Sequence, residues 1–182
     1  MKKVYLFLAY GFEEVEALTA VDLLRRAGVQ VTTVSVTGND IVTGAHRIPV
    51  VADIKIDEND FEDADAIVIP GGQPGVDNLS ECEKIADIIN NAYKNKKFVC
   101  AICAAPMILG KLGLLEGRKA TCYPGCESAL TGADISGDRV CVDGNIVTSR
   151  GVGTAIDFAA KIIELLMSEE KAAEIKTSVL AE

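Results

Sequence analysis

Short apolar runs alternate with amphipathic stretches along almost the whole chain. Val4 to Ala9 is an unbroken apolar run closed by Gly11, which predicts a strand. Glu14 to Ala27 then carries Val15, Leu18, Val21 and Leu24 at helical spacing, and Gly28 supplies the stop. Val29 to Val36, rich in Val and Thr, predicts a second strand. Ile48 to Val51 reads as a small extra strand or hairpin arm. Ala66 to Ile69 predicts a buried strand ending at Pro70-Gly71-Gly72. A helix follows over Cys82 to Tyr93, then a wholly apolar strand over Phe98 to Ile102. Ala104 to Leu112 reads as a short helix starting near Pro106, and Lys119 to Cys122 as a strand. Val140 to Val142 and Ile146 to Thr148 flank Asp143-Gly144-Asn145, a hairpin signal. An amphipathic helix over Gly153 to Met167 and a last helix over Glu169 to Lys176 complete the pattern.

Strands that are apolar throughout, rather than alternating, are covered on both faces. With the strand–helix alternation they predict an α/β fold, a mostly parallel sheet with helices on both sides and a small β-hairpin. No repeat, low-complexity stretch or linker divides the sequence, so residues 1–182 are expected to form a single domain. Sites in such sheets lie beyond the C-terminal strand ends. Three segments fall there: Gly11 to Glu16, Pro70 to Gly75, and Cys103 to Pro106.

Composition narrows the function. The net charge of −9 disfavours nucleic acid, whose phosphates are bound by Lys and Arg. No apolar run approaches the roughly 20 residues that cross a bilayer, so no membrane partner is expected. Met1-Lys2-Lys3 leads into an apolar run too short for a secretory signal, which predicts a cytoplasmic protein with mostly reduced thiols. The chain has six Cys and one His. Catalysis built on several histidines is therefore impossible within one chain.

The chemistry centres on Val99-Cys100-Ala101-Ile102-Cys103-Ala104-Ala105-Pro106. Cys103 falls where an apolar strand meets a helix, with Ala101 and Ala105 two residues to either side. This is the small-x-nucleophile-x-small pattern of a nucleophile elbow, whose tight turn exposes the nucleophile in a strained conformation. A thiol at a helix start is expected to ionise below its free value of about 8.5. The competing reading is an inert buried thiol. Cys100-x-x-Cys103 also matches a redox pair, and Cys122 with Cys126 would complete a four-thiolate zinc site. Both readings suffer because Cys100 lies inside the apolar strand. Cys122 or Cys126 is a candidate disulfide partner for oxidised Cys103, against the simpler reading of two unrelated small residues.

The amides of Gly72 and Ala104 are candidates for an oxyanion hole. Pro70-Gly71-Gly72 is not a phosphate loop, since no Gly-Lys-Ser/Thr follows it. Glu13, Glu14 and Glu16 open the first helix, where acidic residues are stabilising in any case. If that helix start adjoins the Cys103 turn, a carboxyl there has a raised pKa and serves as hydrogen-bond donor to sulfur or as general acid/base.

Taken together, Tyr10-Gly11-Phe12-Glu13-Glu14-Val15-Glu16, Val21 to Gly28, Ile69-Pro70-Gly71-Gly72, Ala101 to Pro106 and Thr148-Ser149-Arg150-Gly151-Val152-Gly153-Thr154 resemble the DJ-1/ThiJ/PfpI family, closest to the parkinsonism-associated protein deglycase branch. The resemblance implies a flavodoxin-like three-layer sandwich, usually a homodimer, with neither metal nor organic cofactor. It assigns Cys103 as nucleophile and oxidation-sensitive thiol, Glu16 as its carboxyl partner, and Gly72 and Ala104 as amide donors. Asp22 and Arg26 match a stretch near the family's dimer interface.

Two departures stand out. Many members carry a His where this chain has Tyr123, just before Pro124. The family's arginine in the connecting segment aligns with His46, beside Arg47. Tyr123, His46, Arg47 and Cys122 are accordingly the possible accessory residues, and a Cys–His peptidase dyad is disfavoured. The resemblance implies an enzyme of the glyoxalase or deglycase type, converting a reactive aldehyde such as methylglyoxal, or a glycated adduct, to a hydroxy acid. The alternative is a redox sensor or redox-controlled chaperone in which Cys103 becomes a sulfinate.

Overall fold

In the computed structural model, which describes residues 1–181, a seven-stranded sheet forms the middle layer. Its order is β10 (Val140–Asp143), β11 (Ile146–Ser149), β7 (Phe98–Ile102), β6 (Ala66–Ile69), β1 (Lys3–Leu8), β2 (Gln30–Ser35) and β5 (Ile54–Lys55). All neighbours are parallel except β10 and β11, the two arms of the expected hairpin. Helices α1 (Glu14–Arg26), α5 (Ala155–Leu166) and α6 (Glu169–Ser178) cover one face. Helices α2 (Gly75–Glu81), α3 (Glu83–Lys94) and α4 (Pro106–Lys111) cover the other. This is the parallel sheet with helices on both sides that the apolar strands predict, in the flavodoxin-like three-layer form that the resemblance implies.

Alternation along each strand feeds both faces. In β1, Val4, Leu6 and Leu8 enter the core beneath α1 and α5, while Tyr5 and Phe7 enter the core beneath α2 and α3. Cys100 and Ile102 of β7 point to the first core, Val99 and Ala101 to the second. Each large side chain so buried contributes about 1.5–3 kcal/mol relative to exposure. Both sets must be apolar, which is why these strands read as unbroken runs.

Several elements differ from expectation. Helix α2 occupies a segment in which the pattern predicts no element; with only Val76 and Leu79 as large apolar residues on its inner side, seven residues are too few to show a period. Ile48–Val51 contains one arm, β4 (Pro49–Val51), whose antiparallel partner is β3 (Ile41–Thr43). The strand expected over Lys119–Cys122 shrinks to β8 (Lys119–Ala120), and it pairs with β9 (Asp134–Ile135) rather than joining the main sheet. Its backbone is diverted at Thr121, whose N–H donates to Thr148 Oγ1 (3.0 Å).

The chain runs outward from β1 through β2 and β5, then returns to β6 on the other side of β1. This reversal opens a crevice at the C-terminal ends of β1 and β6. In register, Ile69 pairs with Ala101 and Ser149 with Ile102. The segments following β6, β7 and β11 therefore leave the sheet side by side, next to the start of α1.

Candidate active site

Cys103 has φ +67°, in the left-handed region that side chains rarely occupy. Strand β7 ends at Ile102, and the Ala105 N–H donates to the Ile102 carbonyl (3.1 Å) across a tight turn. The direct strand–helix junction expected from sequence is thus replaced by a turn over Cys103 to Ala105. Pro106 fixes the start of α4, since its ring presets helical φ and its missing N–H needs no partner there. Two backbone bonds hold the turn. The Cys103 N–H donates to the Ser149 carbonyl (3.0 Å), and the Tyr123 N–H donates to the Cys103 carbonyl (2.8 Å). They offset a backbone strain of order 1–3 kcal/mol.

Gly71 is the residue against which this turn closes. A Cβ there would lie 2.6 Å from Cys103 Cβ and 2.6 Å from Glu16 Oε2, both impossible contacts. Its N–H donates to Glu16 Oε2 (2.8 Å), while Glu16 Oε1 is buried with no hydrogen-bond partner among the described residues. Gly72 adopts φ +95°, and a Cβ on it would meet Glu13 N at 2.4 Å. The backbone N–H groups of Gly72 and Ala104 lie near enough to the Cys103 sulfur to favour its thiolate. The structure therefore brings Cys103, Glu16, Gly72 and Ala104 into one cluster, with Gly71 as the member that sequence reasoning passed over.

The electrostatics differ from expectation. Burial, then the nearby Glu16 charge and its hydrogen bond, push the Cys103 thiol up to about 12, against the smaller lowering by the Ala104 and Gly72 amides. The lowered pKa expected for a helix-start thiol is not found, because α4 begins three residues later and a carboxylate shares the cavity. Burial pushes Glu16 up to about 7, opposed by hydrogen bonds from Cys103 and Gly71. Between these values the pair carries one proton, which resides on sulfur or on oxygen. Moving it to Glu16 creates the thiolate without a net change in buried charge.

The accessory candidates separate. Tyr123 and Pro124 line the cavity beside Cys103. Cys122, next in the chain, turns instead into the core beneath α4, and burial pushes its thiol up to about 11. His46 and Arg47 lie outside the cavity wall. The His46 N–H donates to Glu14 Oε1 (2.8 Å), and His46 Nδ1 lies 2.8 Å from Glu14 Oε2. Although burial raises the Glu14 pKa, its bonds to His46 lower it further, so Glu14 anchors the loop as a carboxylate. Glu13, Glu14 and His46 form the one group among the described residues with metal-ligand spacing, their donor atoms lying within 4.8 Å of one another. Cys100 is fully buried within β7 and stands outside the group with metal-ligand spacing among the described residues.

The cavity measures about 620 Å³. Its wall includes Glu13, one of the three helix-start carboxyls, and Arg139, Arg150, Gly151 and Thr154, none of these four singled out by chemistry in the sequence. Thr154 Oγ1 is the organising atom of that wall, accepting from the Arg150 and Gly151 N–H groups (3.2 and 3.1 Å). The signal available was the segment Thr148 to Thr154, noted only as part of a resemblance.

Residues 2–165 match the model of the DJ-1/PfpI family. The chain belongs to that family. It is 34% identical over 181 residues to "Protein dj-1beta" of Drosophila melanogaster, covering 98% of this chain and 97% of that one. It is 34% identical over 161 residues to "Glutathione-independent glyoxalase DJR-1.2" of Caenorhabditis elegans, covering 87% and 85%. "Protein DJ-1 homolog B" of Arabidopsis thaliana is 40% identical over 176 residues; this DJ-1/PfpI chain spans only 40% of its length. The crystal structure of Drosophila DJ-1beta superposes with a TM-score of 0.96 at 34% identity, covering 100% of this chain and 98% of that one. Oxidized Toxoplasma gondii DJ-1 superposes at 0.94 with 37% identity, covering 99% and 98%.

The buried Glu16 has a measurable consequence for stability. Unfolded, it loses its proton near the ordinary 4.5; folded, near 7. The folded state therefore binds more protons between these values, and stability falls as pH rises from 4.5 to 7 and stays low above. Glu16→Gln removes that penalty. The variant is expected to be more stable than wild type by about 1–3 kcal/mol at pH 8 and to lose this advantage towards pH 4.5. Urea titrations at both pH values read it.

Proposed function

We propose that this DJ-1/PfpI chain is a cysteine-dependent enzyme that needs no cofactor and converts reactive α-oxoaldehydes, or their adducts, to hydroxy acids. The observation that carries the reading is the pairing of Cys103 with the buried Glu16 carboxyl on the wall of a cavity open to a small substrate. The C. elegans relative named as a glutathione-independent glyoxalase supports it. Residues 1–182 are read as a single catalytic domain.

In the proposed reaction, the Cys103 proton passes to Glu16 and the sulfur adds to the aldehyde carbon of methylglyoxal. Glu16 returns the proton to the former carbonyl oxygen, giving a hemithioacetal. The Glu16 carboxylate then takes the hydrogen from that carbon and delivers it as a proton to the adjoining carbon. The hydroxyl proton of the hemithioacetal moves to the ketone oxygen in the same isomerisation, so the ketone becomes a hydroxyl and the sulfur-bearing carbon a thioester. Water cleaves the C–S bond, releasing lactate and the thiol. The sum is methylglyoxal plus water to lactate, with no external oxidant or reductant. The Gly72 and Ala104 amides are placed to stabilise negative charge, first on sulfur and then on oxygen as it develops. Tyr123 lines the cavity and is an accessory candidate for contact with the substrate; His46 and Arg47 have no part in this scheme.

A second reading is favoured by the same three groups. Two amides and a protonated carboxyl around one sulfur would hold a sulfinate, so the site would also serve as an oxidation sensor. A homodimer is proposed as the assembled form, consistent with a family whose members are commonly dimeric. Val15 and Leu18 of α1, with Ile48 and Val51 of the β3–β4 hairpin, are 38–70% exposed and apolar, and they supply the proposed contact.

Methylglyoxal consumption should fall to background in Cys103→Ser and by roughly 10²–10⁴ in Glu16→Gln. In wild type it should rise with pH through about 7, as the dyad passes from two protons to one. Equal rates for wild type and Cys103→Ser sink the enzyme reading. Mild peroxide followed by peptide mass analysis should add two oxygen atoms to Cys103 alone; even oxidation of all six thiols overturns the sensor reading. Sedimentation of Leu18→Asp should show monomers where the wild type shows dimers.

A further inference from the structure

The wall of the cavity that holds Cys103 carries two acids, Glu13 and Glu16, and two arginines, Arg139 and Arg150. The two arginines are not equivalent. Arg139 is neutralised: its guanidinium binds Asp157 (2.7 and 2.8 Å) and the Gly153 carbonyl (2.6 Å). Arg150 has no carboxylate partner among the described residues, although the chain carries an excess of nine negative charges. Its side chain makes a single long bond, to the Gly137 carbonyl at 3.3 Å, out of five available N–H donors. Its backbone is fixed, because its N–H donates to the buried Thr154 Oγ1 and the following Gly151 lies against the site. A Cβ at Gly151 would be 3.7 Å from Cys103 Sγ. A guanidinium with open donors therefore shares the cavity with the reactive sulfur.

Resting on the reading of the site as an α-oxoaldehyde enzyme, we propose that Arg150 is an anion-binding residue and that the favoured substrates are α-oxoaldehydes carrying a carboxylate. The anion sits on Arg150, the cavity arginine whose donors are left open. With its carboxylate held there, the aldehyde end of the substrate is presented to Cys103 and Glu16 in the same cavity. The open guanidinium thus selects the ligand class. The bond-making steps are those written above, and the product is a hydroxy acid with one further carboxylate.

Two measurements test this on the intact protein. The first needs no turnover: the rates at which iodoacetate and iodoacetamide alkylate Cys103, followed by peptide mass. The ratio of the charged to the neutral reagent should exceed that of 2-mercaptoethanol by roughly ten-fold and shrink in high salt. It should drop by about the same factor in Arg150→Met, recover in part in Arg150→Lys, and stay unchanged in Arg47→Met, which lies outside the cavity. The second compares kcat/KM for 4,5-dioxopentanoate and methylglyoxal. Wild type should favour the carboxylate by roughly ten-fold, mainly through KM, and Arg150→Met should erase that preference. A reagent ratio that ignores Arg150 overturns the anion site even if methylglyoxal is consumed. Arg150-dependent alkylation without turnover of either aldehyde upholds the anion site and overturns the reaction it rests on. A wild type that turns over both aldehydes equally overturns the substrate class.

Discussion

The site depends on one close approach. The backbone at Gly71 passes so near Cys103 and Glu16 that a single methyl group would collide with both. That approach seals Glu16 from water and directs one of its oxygens to the Gly71 amide, leaving the other without a bond. Burial of the carboxyl then raises its pKa, and its charge in turn raises that of the thiol. Much of the acid–base behaviour of the pair thus follows from a glycine that carries no chemistry of its own. A buried carboxyl is costly to stability, and its retention is what a proton-shuttling role would require.

The rest of the fold serves this contact. Parallel pairing of β1, β6, β7 and β11 delivers four segments to one edge at matched heights. Apolar layers on both faces keep those strands rigid, and backbone bonds from Tyr123 and to Ser149 clamp the Cys103 turn from two sides. The left-handed conformation at Cys103 is therefore imposed by its surroundings rather than by its own preference.

Much of this was legible in the chain. The parallel sheet followed from continuous apolar strands, and Cys103 stood out through its small neighbours and its place at a strand end. Glu16 was legible as one of three acidic residues opening α1, but its difference from Glu13 and Glu14 was not. All three share the helix start; Glu14 and Glu16 are both buried, but Glu16 meets the sulfur whereas Glu14 turns to the His46 loop. Helix α2 was invisible because seven residues do not establish a period; β8 was legible as a strand but not its pairing, because its partner β9 lies 14 residues beyond it. The far wall of the cavity, Arg150 above all, was equally hidden. An arginine in a loop carries no mark of whether an acid will reach it.

Local preference and periodicity act over a few residues, so the sequence by itself determined the layers, the strand ends and the identity of the special thiol. The direction of the thiol pKa was beyond it. The helix-start rule pointed downward, and the tertiary structure reversed it by setting α4 back to Pro106 and bringing Glu16 from a strand away. Ionisation inside a protein is governed by burial and by charges within a few ångströms. Those charges come from segments far apart in the chain, and only the folded arrangement decides which of them meet.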